Sequence, residues 1–353
     1  MYFVIWEGKI ISSARNNTLS YIRAIATIAI VFLHMFQDAT EGFGVMGNHK
    51  IISMGLRNCL LWAVPLFVMV SGSLLLDPER EMTYKKIYSK YVFRILISLV
   101  ATIIVYGIFE LILFGKDSPF TDIKIWFFTF YLGVGWKQLW YLYMLIALYI
   151  MLPIYRIISK NMEEKDWKYL LLVLFIFQSV LPFVNSISGT TCGFYICVYT
   201  VYSLYFFVGY AIKKKVISIN KVLAWIVCIA GLALNFGLTV LSFLRTSKEL
   251  YGAINSYSSF IVVLQSVCMY SLLLGIDDNK ENAFGKVLLS IDKVSLGIYL
   301  VHVLLIRVMI YGVKFNPYSY GFYMVIIATL IILILSYAIS HILHRIPGVR
   351  KFI

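Results

Sequence analysis

Charge is scarce in this chain. Asp, Glu, Lys and Arg make up 14% of its 353 residues, and most fall in short clusters between apolar runs. Acids are scarcer than bases, 17 against 31, which leaves a formal net charge of +14. So little charge excludes an ordinary water-soluble globule. Hydrophobic residues reach 61%, where a soluble domain holds about 45–50%, and mean hydropathy is +0.85. A soluble core of this size cannot hide that excess, so the class is an all-α, polytopic membrane protein. Nor does the positive charge point to nucleic acid, because no basic face alternates with stacking aromatics in a soluble stretch.

Cysteine is also sparse, with five residues. Cys59, Cys228 and Cys268 lie in apolar runs and read as small buried hydrophobes. Cys192 and Cys197 flank a loop, but without further Cys or His nearby they make no metal motif, and no metal is expected. A disulfide between them is open if that loop is extracytoplasmic. Residues 1–18 hold Glu7, Lys9 and Arg15 around a short apolar patch. They lack a small-residue cleavage site after a clean apolar core, so a cytoplasmic or interfacial lead-in is expected. Repeats and low-complexity tracts are absent to the eye, and every loop is short. The expected organisation is therefore one membrane domain over 1–353.

What the chain has in abundance is long apolar runs. Ten are long enough to cross a bilayer, which takes about 20 residues: 19–37, 51–76, 91–114, 138–158, 168–187, 194–212, 222–243, 257–276, 294–313 and 321–343. The stretch 120–136, FTDIKIWFFTFYLGVGW, is aromatic and amphipathic with Asp122 and Lys124, and reads as an interfacial helix. With the N-terminus inside, 20 Lys and Arg fall in inside segments, 7 in outside loops and 4 within spans. That bias supports both termini in the cytoplasm and an even number of spans.

The four arginines within spans are Arg23, Arg57, Arg94 and Arg307. Ionisable groups in hydrocarbon are costly, and each is a functional candidate. Arg23 and His34 share the first span. Eleven residues at about 100° each end roughly 20° past three full turns. The two side chains therefore share a face, about 16 Å apart along the axis. Histidine is the side chain best suited to move protons near neutral pH, as general base or as nucleophile. Arg57 and Arg307, in outer halves, suit an anionic acceptor or a lipid headgroup. Trp136, Trp140 and Tyr141 read as an aromatic belt, or less simply as a sugar-stacking platform. Ser71 and Gly72 read as close-packing small residues, or less simply as part of a donor tunnel, His302 as a mid-span histidine with a bundle or acceptor role, and His341 and His344 as interfacial.

These features resemble a known family. Arg23 and His34, with ten residues between them, are similar to the Arg-x10-His motif of the acyltransferase-3 family of bacterial membrane O-acyltransferases. WAVPLFVMVSGSLLL (Trp62–Leu76) resembles its second-span VPxF…SGxLL pattern. KKIYSKYVFRIL resembles its basic run before the third span, with Lys86, Lys90 and Arg94. LWYLYMLIALYIMLPIYR (Leu139–Arg156) and VSLGIYLVH (Val294–His302) resemble two further spans, in the family's order. Gln138 stands where many members have His, and Leu61 where many have Arg.

The resemblance implies acyl transfer, often of acetyl, from cytoplasmic acyl-CoA to a hydroxyl of a cell-envelope glycan or lipid-linked sugar in the bacterial cytoplasmic membrane. It implies His34 as the catalytic residue and Arg23, Lys90 and Arg94 as donor-binding. Arg57, Gln138, Trp140 and His302 are the candidates for acceptor or accessory roles. Guanidinium suits CoA phosphates because it can grip them bidentately. The alternative on the residues alone is a transporter of a glycan precursor or amino acid, since buried Arg and His also suit a substrate path.

Overall fold

The structure is a computed structural model that describes residues 17–133, 136–190, 200–276 and 283–352. The described residues are helical, with no strand among them. In lipid this is the required outcome, because a helix satisfies its backbone polar groups within one segment. The helices are α1 (Asn17–Glu41), α2 (Gly47–Cys59), α3 (Ala63–Leu75), α4 (Phe93–Phe114), α5 (Ile123–Leu132) and α6 (Trp140–Asn161). They continue with α7 (Glu164–Phe175), α8 (Leu181–Ser188), α9 (Val201–Lys213), α10 (Lys221–Leu244) and α11 (Lys248–Ile254). Last come α12 (Phe260–Leu274), α13 (Ala283–Lys293), α14 (Ser295–Arg307) and α15 (Phe322–Arg345).

Eight helical runs among the described residues are long and apolar enough to cross a membrane, where the sequence led us to expect ten. Two of the expected runs contribute shorter helices among the described residues. The run 194–212 is described from residue 200 onward and contributes α9, with 13 residues. The run 257–276 contributes α12, with 15. Tyr205, Phe206 and Phe207 of α9 and Tyr270 of α12 are wholly buried against neighbouring helices, while Leu264 of α12 is exposed. Cys192 and Cys197 lie outside the described residues.

The second expected span, 51–76, is two half-helices. The amides of Leu60, Leu61 and Ala63 bond only three residues back, to Arg57, Asn58 and Leu60, and the chain turns there before α3. Pro65, in the first turn of α3, supplies the reason: it has no N–H for the carbonyl of Leu61, so a continuous ladder fails at this point. Asn58 beside the break is fully buried and donates to Thr239 Oγ1 at 2.9 Å. The break turns Arg57 toward a cavity described below.

Close approach at the centre is made by glycines. A Cβ on Gly72 of α3 would lie 1.8 Å from the carbonyl oxygen of Phe206, and one on Gly209 of α9 would lie 2.2 Å from that of Met69. Small residues let the two backbones touch. Ser73 seals the crossing, donating to the carbonyl of Gly209 at 2.6 Å. α5 is ten residues long, rising about 15 Å, too short to cross. Trp126 of α5 covers Gly107 of α4.

Candidate active site

α1 carries Arg23 and His34 to two separate cavities. Arg23 lines a cavity of about 400 Å³ together with Arg80, Arg94, Lys293, Asp292 and Tyr91. Four cations face one carboxylate, so the cavity is strongly positive and fitted to phosphate. Arg23 is itself engaged. Its Nε donates to Asp292 Oδ1 at 2.7 Å and its Nη2 to Oδ2 at 3.1 Å. The Asp292 side chain is 1% exposed and that of Arg23 33%. The fork thus anchors α1 to α13 while Arg23 lines the cavity. Arg80 is held by donation to Tyr91 Oη at 2.9 Å.

His34 lines a second cavity, of about 250 Å³, with Asp38, Trp136, Gln138, Arg307 and Tyr311. Its ring lies against that of His302 of α14, centroids 4.9 Å apart. His34 Nδ1 and His302 Nε2 are 2.9 Å apart, and His302 Nδ1 is 2.9 Å from the carbonyl oxygen of Ile298. A carbonyl only accepts, so Nδ1 of His302 carries a hydrogen. With both rings neutral, Nε2 of His302 is then a lone pair, and Nδ1–H of His34 donates to it. The tautomer chain leaves Nε2 of His34 as a lone pair. A histidine so arranged can accept a proton or attack a carbonyl carbon.

Tyr299 stands between the two cavities. It lines the one that holds Arg23, packs on the rings of Tyr141 at 5.3 Å and His302 at 5.8 Å, and donates to the carbonyl of Gln138. Gln138 lines the cavity of His34 and is buried, with no hydrogen-bond partner on its Nε2. A match to the family model of the acyltransferase-3 domain runs over residues 16–345, nearly the whole chain.

The chain belongs to the acyltransferase-3 family. It is a multi-pass membrane acyltransferase, and membership sets the enzyme ahead of the transporter. Comparisons with curated proteins and with solved structures gave no match.

Within this acyltransferase the expected residues part company. His34, His302 and Gln138 meet in one place, and Arg23 and Arg94 in another. Lys90 is exposed in the π-helical turn Ile87–Val92 and does not line the cationic cavity, whereas Arg80 does. Trp140 packs against Tyr202 at 5.4 Å and Tyr257 at 5.3 Å, away from the cavity of His34. The aromatic belt is not formed by Trp136 and Tyr141, which are buried. Trp136 stacks on Phe120, centroids 5.0 Å apart, because its N–H finds Glu110 inside the bundle. Arg307 is likewise paired, with Glu110, and lies over the Tyr311 ring.

Sequence reasoning passed over Asp292, Glu110, Arg80 and Tyr299. Glu110 could have been found, because it is an acid inside the apolar run 91–114, and the cost argument for in-span arginines applies to it equally. Asp292 sits at the margin of a span, where an acid costs little, and only its partner reveals it.

Proposed function

We propose that this acyltransferase moves an acyl group, acetyl being the simplest, from cytoplasmic acyl-CoA to a hydroxyl of a cell-envelope glycan or lipid-linked sugar. Its place is the bacterial cytoplasmic membrane, with both termini inside. The observation that carries the reading is the His34–His302 pair, which leaves a basic nitrogen on a cavity wall next to a cavity rich in guanidinium.

The cations Arg23, Arg80, Arg94 and Lys293 hold the phosphates of the nucleotide end of CoA. Its extended pantetheine arm carries the thioester past Tyr299 to His34, a span of about 16 Å along α1. Nε2 of His34 takes the acceptor's hydroxyl proton as that oxygen forms its bond to the acyl carbon. The carbon–sulfur bond then breaks, and the CoA thiolate recovers the proton from the imidazolium. In the covalent variant the acyl group rests on Nε2 and passes to the hydroxyl in a second step. Both variants need the same lone pair. Gln138, which lines the same cavity, carries an amide donor suited to the oxyanion of the tetrahedral intermediate.

The test is acyl transfer from labelled acyl-CoA by the purified protein in lipid. His34→Ala should lower the rate about 10²–10⁴-fold. Unchanged transfer by a folded variant removes His34 from the mechanism. CoA release without solute flux separates the enzyme from a transporter.

A further inference from the structure

A third cavity lies apart from the one that holds Arg23. It measures about 470 Å³ and is lined by Arg57, Lys50, Lys248, Tyr251, Phe243 and Asn255 among others. Gln37, one turn of α1 beyond His34, lines both it and the cavity of His34, so the two adjoin. Three cations and no carboxylate line its wall. Arg57 and Lys50 are half-buried and Lys248 is exposed. Arg57 gives one nitrogen to Asn58 Oδ1 at 2.9 Å and meets no acid in any ion pair among the described residues, unlike Arg23 and Arg307. Lys50 lies over the Phe243 ring, 5.8 Å from its centroid. Phe243 and Tyr251 pack edge to face at 5.5 Å, which fixes an aromatic wall. Asn255 also lines the cavity, and its Oδ1 is buried without a hydrogen-bond partner.

An unneutralised guanidinium at the end of a half-helix, beside two ammonium groups, is costly to keep unless an anion comes to it. A buried amide pole left unpaired asks for a complementary hydroxyl or amide. Aromatic walls suit the apolar faces of sugar rings. We infer that this cavity binds the acceptor, and that the acceptor is an anionic glycan, bearing phosphate or carboxylate, with a neighbouring hydroxyl delivered to His34 past Gln37. Arg57 and Lys50 read the charge, and Asn255 reads a hydroxyl of the bound sugar. This inference rests on the acyl-transfer reading for its consequence but not for the binding itself.

Binding and turnover can therefore be scored apart. The full chain in phosphatidylcholine nanodiscs is titrated with a uronic-acid oligosaccharide, a phosphorylated oligosaccharide and a neutral one of equal length, with thermal stability as the readout. Both acidic probes should stabilise the protein, less so as salt rises, and the neutral one should not. Arg57→Gln should weaken the acidic probes about ten- to a hundredfold. Lys50→Gln and Asn255→Asp should weaken them too, the latter by repulsion, and both leave the Arg57–Asn58 bond in place. Equal binding of neutral and acidic probes, or acidic binding unchanged in all three variants, overturns the inference. If phosphatidylglycerol discs stabilise the protein and abolish the oligosaccharide effect, the site belongs to a lipid headgroup and the acceptor role is overturned. In the transfer assay, acidic acceptors should outcompete neutral ones with the difference in KM. Selective binding without any acyl transfer would sink the enzyme reading and leave the anion site standing.

Discussion

At the scale of single residues, the chemistry turns on which nitrogen of which ring carries a hydrogen. The Ile298 carbonyl fixes His302, and His302 fixes His34. His302 is thus a positioning residue that acts through His34. Its needed feature is an acceptor facing Nδ1–H of His34, not basicity. His302→Gln, which keeps a carbonyl oxygen at the side-chain end, should retain more transfer than His302→Ala. The alanine variant should fall about tenfold or more, in line with one lost hydrogen bond. The loss should appear in kcat, with the KM for acyl-CoA little changed, and steady-state kinetics on the two variants checks this. Equal losses in both would mean that His302 serves only to fill space. The two in-span ion pairs show the same economy. Arg23 and Arg307 are each matched to an acid from another helix, because an unpaired charge in a bundle is expensive.

At the scale of helices, glycine decides how closely α3 and α9 pass. Gly72→Ala would drive a methyl into the backbone of Phe206, and neither backbone can yield without shifting its helix. Overpacking of this kind costs about 1–3 kcal/mol or more. Gly237 of α10 is the control, since a Cβ there meets nothing within 4 Å. Thermal unfolding in lipid should show a large fall for Gly72→Ala and little change for Gly237→Ala. The close-packing role of Gly72 was legible because small residues at helix contacts are a local pattern, whereas Ser71 beside it lines the cavity of Arg23. The break between α2 and α3 was not read, although Pro65 marks it. A hydropathy window scores apolarity and passes over a missing N–H.

At the scale of the whole molecule, the two ends of α1 serve different cavities. The cationic one lies at the Arg23 end, and the cavities of His34 and Arg57 adjoin at the other. Acyl transfer from cytoplasmic acyl-CoA then requires the Arg23 end to face inward. Single cysteines placed in a cysteine-free background at Lys165 and at Lys248 should label from opposite sides of sealed vesicles. Lys165 should be protected from outside, and Lys248 should be open. The reverse pattern would invert the topology and remove the donor assignment. Among the described residues eight runs meet the length for crossing, and the runs at 194–212 and 257–276 contribute the shorter helices α9 and α12.

The sequence by itself determined what is local. Apolar runs set the membrane class, the eleven-residue step put Arg23 and His34 on one face, and motifs within single spans carried the family resemblance. Each follows from the period and composition of one helix and needs no neighbour. Only the tertiary structure decided who faces whom. His34 meets a histidine 268 positions away, Arg23 meets Asp292 and not a free path to His34, and Tyr299 divides the two cavities. In lipid, the apolar surfaces of helices are nearly interchangeable as partners. Pairing rests on close packing and a few polar contacts, and those exist only once the bundle has formed.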